Sequence, residues 1–112
     1  MTGRTPVYER GNVARFSTTF TDDDGRRTEP DIVDGDRDVS ILIKRRATGE
    51  VILESTQMIE VSPTKFRFDF QTTQGTPLGE YSVEISARFS GEQRLNRDRI
   101  EIVDILDPNV GQ

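Results

Sequence analysis

From Lys65 to Gln71 the chain reads KFRFDFQ, with phenylalanine at every second position and a charged or polar residue between. Side chains of an extended strand point alternately to opposite faces, so this stretch has one apolar and one wet side. The same period of two recurs along the chain. EYSVEISARFS puts Tyr81, Val83, Ile85, Ala87 and Phe89 on one face, against Glu80, Ser82, Glu84, Ser86 and Arg88 on the other. VARFSTTFT does so with Ala14, Phe16, Thr18 and Phe20, and DVSILIKR with Val39, Ile41 and Ile43. RDRIEIVDIL contributes Ile100 and Ile102, with Val103 and Ile105 on the other parity. Shorter strands are predicted at PVY (6–8) and EVILES (50–55), the latter preceded by a RRATGE turn in which Gly49 supplies a positive φ. No segment repeats apolar residues at i, i+3, i+4 and i+7, so no long helix is expected. Strands with one apolar face each, spaced about ten residues apart, predict an all-β fold: a sandwich of about seven antiparallel strands. A single domain fills 1–112, with short arms at 1–6 and 105–112.

A chain of 112 residues has room for one core. Without cysteine it forms neither disulfides nor zinc-thiolate sites, and without histidine it lacks the commonest general base. The expectation is a protein that is not an enzyme and holds no cofactor. A formal net charge of -5 disfavours direct nucleic-acid binding, which depends on positive charge meeting phosphate. No apolar run is long enough to span a membrane, and the start MTGRTPVYERG lacks the apolar segment of a signal peptide, so a soluble chain made in the cytoplasm is expected. Paired carboxylates such as Glu80 and Glu84 read as solvated strand charges, because a glycosidase acid needs a sheltered cleft. GTPLG (75–79) lacks the Lys-Ser/Thr ending of a phosphate loop.

The remaining feature is TDDDGRRTEPDIVDGDRD, Thr21 to Asp38, with eight acids in eighteen residues. Set against Arg26, Arg27 and Arg37, these acids leave a local charge of -5, equal to that of the whole chain. Oxygen-rich loops bind calcium, and Asp22, Asp24, Asp34, Asp36 and Asp38 are the candidate ligands. An EF-hand loop starting at Asp34 would need glycine at its sixth position and glutamate at its twelfth, where this chain has Val39 and Arg45. The competing reading makes TDDDG a turn, with aspartates bonded to nearby amides and Gly25 at its bend.

VYERGN, a strand ending in FTDDDGRRTEPD, VSILIKRRATGEVI, KFRFDFQ, GEYSVEISARFSGE and a closing RIEIVD together resemble immunoglobulin-like modules encoded as small separate proteins among tailed-bacteriophage virion genes. The likeness runs over residues 6–104. Where that family has Gly-Asp before its first long strand, this chain has Gly11-Asn12, and Tyr81 stands where tryptophan is frequent. The segment DIVDGDRD lengthens a loop that is usually short.

The resemblance implies an immunoglobulin-like sandwich and a structural role in a virion: neck, head-tail connection or capsid decoration. It implies localisation in the particle, portal, adaptor, tail or capsid proteins as partners, and assembly as a homo-oligomer. Interface candidates are Asp34, Asp36, Leu42, Arg94, Arg97, Arg99, Leu106 and Val110. Leu42 interrupts a polar strand face, and the arginines form a basic edge that could meet the acidic loop of a neighbouring copy. The alternative reading is a glycan-binding adhesion module, in one form calcium-dependent; it lacks tryptophan and has only two tyrosines as sugar platforms.

Overall fold

The alternating segments form strands in the computed structural model, which describes residues 5–104. In chain order they are β1 (Val7–Glu9), β2 (Val13–Thr19), β3 (Ile32–Val33), β4 (Asp36–Arg37), β5 (Val39–Arg45), β6 (Val51–Gln57), β7 (Ile59–Ser62), β8 (Lys65–Gln71), β9 (Gly79–Phe89) and β10 (Glu92–Val103). Among the described residues there is no helix. One sheet has the order β1-β10-β9-β5-β6, a second has β2-β8-β7, and β3 with β4 makes a separate two-stranded hairpin. The chain is an all-β sandwich.

The period of two decides which side chains meet between the sheets. From the larger sheet come Val39, Ile41, Ile43, Tyr81, Val83, Ala87, Phe89, Ile100 and Ile102, and from the smaller one Ala14, Phe66 and Phe70, all buried. Phe20, just past the end of β2, joins them: its ring lies 5.9 Å from Phe66 and meets Phe89 edge-on at 5.2 Å. Phe16, Phe68 and Ile85 share the inward parity and pack on this core but remain partly exposed. The chain passes from β6 in one sheet to β7 in the other across a single residue, Met58, whose side chain is buried and whose N–H donates to Val39 O.

Four features depart from the sequence reading, the first being β3 and β4, which form a hairpin inside the segment read as an acidic loop. β1 pairs with β10 in parallel, so the strands are not all antiparallel. This pairing is intramolecular, with Glu101 N–H donating to Pro6 O and Arg10 N–H to Val103 O. β7 is an additional strand; its apolar residues Ile59 and Val61 are exposed, which hides it from any search for an inward apolar face. β10 begins at Glu92 and runs for twelve residues, through a polar stretch with no apolar alternation to announce it.

Two polar anchors fix the far end of the sandwich. The Tyr81 hydroxyl, near the start of β9, donates to Pro77 O four residues upstream. Burial pushes the Tyr81 phenol upward, outweighing the opposing Arg45 charge. Thr72 is buried; its Oγ1 accepts Gly11 N–H at 2.9 Å and donates to Asn12 O, tying the loop before β2 to the end of β8.

Candidate functional site

At the other end, the acidic segment is ordered by turn chemistry. Asp34 and Gly35 both take positive φ, 54° and 90°, as a two-residue type I′ hairpin loop requires. Asp-Gly is the dipeptide best suited to that loop, and it pairs Val33 with Asp36 and Ile32 with Arg37. An isolated hairpin this short does not hold itself together in water. Its neighbours do that. Asp31, at its base, takes the N–H groups of Ser90 at 2.9 Å and Gly91 at 2.8 Å on its two carboxylate oxygens. Asp31 N–H donates to Arg88 O, and Asp38 N–H to Asp31 O.

Ser90 and Gly91 are themselves the positive-φ loop joining β9 to β10, so one carboxylate clamps the base of the β3–β4 hairpin to the tip of the β9–β10 hairpin. The Gly91 and Ser90 amides hold the Asp31 carboxyl below its usual pKa, helped by the Arg88 charge and opposed by partial desolvation. On the other flank, Arg37 donates to Pro30 O at 3.0 Å and pairs with Glu29 at 2.8 Å and Glu60 at 3.6 Å. The anchored hairpin leaves Ile32 and Val33 60% and 41% exposed, near the exposed Asp34 and Asp36. Being consecutive in one strand, Ile32 and Val33 face opposite sides of the hairpin, so each side presents one exposed branched apolar side chain.

The five calcium candidates serve three different local structures. Asp22 Oδ1 accepts the N–H groups of Asp24 and Arg26, both at 2.9 Å, and Asp22 N–H donates to Arg26 O. TDDDG is therefore a hydrogen-bonded turn, with Gly25 at φ 79°. Asp34 lies in the hairpin loop and Asp36 directly follows it, and Asp38 faces Arg88 at 3.6 Å. Among the described residues no three metal-ligating side chains come together.

The basic edge divides by parity. Arg97 and Arg99 lie on the outer face of the larger sheet, where Arg97 meets Glu84 at 3.9 Å and Arg99 meets Glu80 at 3.9 Å. Arg94 projects to the opposite face, with its guanidinium 5.0 Å from the centre of the Phe89 ring. The three do not form one patch. Leu42 is half-buried on the outer face, directly opposite Glu84, which also receives Lys44 at 3.0 Å. That face is a self-neutralising carpet of charge. Leu106 and Val110 lie outside the described residues. On the smaller sheet an open groove is lined by residues that include Arg15, Lys65, Arg67, Asp69, Ile59 and Val61.

Asp31, Ile32 and Val33 were absent from the sequence-based candidates. The signal that would have found them is Asp34-Gly35 between a β-branched pair and an Asp-Arg pair, a hairpin signature set within a run read only as charge. No protein-family model, curated protein or solved structure matches the chain. No helix among the described residues is long and apolar enough to cross a membrane.

Proposed function

We propose that this protein is a non-enzymatic, immunoglobulin-like structural module of a tailed-phage particle, binding a neighbouring virion protein through the clamped acidic hairpin. The fold part of this reading is supported by strand order. β10-β9-β5-β6 facing β2-β8-β7 parallels the G-F-C-C′ and B-E-D sheets of immunoglobulin sandwiches, and the Tyr81–Pro77 bond resembles their tyrosine corner. In that frame the β3–β4 hairpin and the β9–β10 turn fall at the end where such domains carry recognition loops.

The observation that carries the binding role is the exposure of Ile32 and Val33, one on each face of a hairpin anchored at its base by Asp31. Apolar anchors fixed before binding lose little entropy on docking, and the surrounding carboxylates select a partner with a cationic rim. Portal, adaptor, tail and capsid proteins are the partner class.

The test is quantitative mass spectrometry of gradient-purified particles, combined with an Ile32→Ser/Val33→Ser variant supplied in place of the natural chain. About six or twelve copies per particle are expected for a neck or tail ring, and a number scaling with capsomers for a decoration protein. The variant is expected to fold normally yet be lost from particles. Absence of the natural chain from particles overturns the virion role; retention of the variant at full copy number overturns the hairpin as the contact.

A further inference from the structure

The longest strand has an edge that is only partly used. β1 covers β10 alongside Glu101–Val103, while Glu92–Arg99 is exposed throughout and, among the described residues, pairs on one side only, with β9. Glu101 N–H points to Pro6 O, away from β9. Backbone direction alternates along a strand, so Gln93, Leu95, Arg97 and Arg99 also turn their N–H and C=O groups to the open edge. Such a row is a template for another strand unless charge forbids it.

Here charge selects rather than forbids. We propose that β10 is a self-complementary docking edge for a second copy of this chain, pairing antiparallel about a two-fold axis at Asn96. In that register Arg94 lies opposite Asp98 of the second copy, Asp98 opposite its Arg94, and Asn96 opposite Asn96. These are non-hydrogen-bonded positions, where facing side chains are closest. Both ion pairs fall on the inner face, since residues 94, 96 and 98 share the parity of buried Ile100 and Ile102. Among the described residues Asp98 has no ion-pair partner and accepts only the Arg99 N–H, so its carboxylate is free to take the arginine.

On the outer face Leu95, 45% exposed, gains the aliphatic stem of the facing Arg97, and Gln93 faces Arg99. The hydrogen-bonding positions 93, 95, 97 and 99 then meet 99, 97, 95 and 93, which satisfies the open backbone row. Shifting the centre by one residue to Leu95 sets Glu92 against Asp98, and shifting it to Arg97 sets Arg97 against itself; both place like charges opposite one another. The two five-stranded sheets thereby join through β10. The inference rests on β10 alone and is independent of what the acidic hairpin binds.

Sedimentation equilibrium over about 1 μM to 1 mM protein tests it. The full-length chain is expected to form dimers. Arg94→Asp and Asp98→Arg, each alone, put two like-charge pairs in the interface and are expected to weaken self-association about tenfold or more. Mixed in equal amounts, these two variants restore both ion pairs and are expected to form heterodimers. The double swap Arg94→Asp/Asp98→Arg recovers self-association. Leu95→Pro removes an edge-facing N–H and leaves the β9 ladder intact, so it should abolish dimers while circular dichroism reports an unchanged fold. A natural chain that remains monomeric overturns the proposal, as do single variants that associate as well as the natural chain or a mixture that fails to pair.

Discussion

Asp31 shows how much one short side chain can organise. Its two oxygens engage the amides of a different hairpin, and its own amide and carbonyl continue the contact on either side. Because these bonds favour the carboxylate, its folded-state pKa lies below the unfolded value of about 3.9. Its contribution to stability is therefore fully present above the unfolded value and is lost as pH falls through the depressed folded one. Hydrogen exchange read by NMR should show the Ser90 and Gly91 amides losing protection in that acidic window. Asp31→Asn keeps one acceptor oxygen and loses the charge, so exchange at one of these amides should quicken on the order of tenfold at neutral pH, with the acid dependence gone. Unaltered protection in the variant would remove the clamp from the account.

Individual strands differ in how openly the sequence declares them. β5, β8 and β9 were legible because their two faces differ in chemistry, and the structure buries Val39, Ile41, Ile43, Phe66, Phe70, Tyr81 and Val83 as their parity requires. β7 was hidden because Ile59 and Val61 face water, and the start of β10 because neither of its faces is apolar there. Nearness in sequence groups Arg94, Arg97 and Arg99, but an odd spacing in a strand sends Arg94 to the face opposite Arg97. The β3–β4 hairpin was legible in principle, since only a residue tolerant of positive φ fits at Gly35. Gly35→Ala meets no steric neighbour, so its cost is conformational alone, about 1–2 kcal/mol, and falls on the hairpin. Chemical shifts of Ile32 and Val33 should move toward unpaired values in this variant, while those of β8 and β9 stay in place.

For the whole molecule, one core joins both sheets and no disulfide shares the load. Phe66, the second residue of β8, is fully buried, paired with Thr18 on one side and Glu60 on the other. Phe66→Ala should cost about 3–5 kcal/mol, much of the roughly 5–15 kcal/mol that holds a typical domain together. The urea midpoint should fall accordingly, in a single transition reported alike by probes in either sheet.

The parallel pairing of β1 with β10 also sets how the domain meets force. The chain enters along β1 and leaves along β10 in the same direction, so tension applied through Thr5 and Asp104 slides the two strands past each other lengthwise. The bonds from Glu101 to Pro6 and from Arg10 to Val103 are then loaded together, in shear, instead of opening one after another like a zipper. A module held in this way between two neighbours resists being stretched far better than its few β1 bonds would suggest.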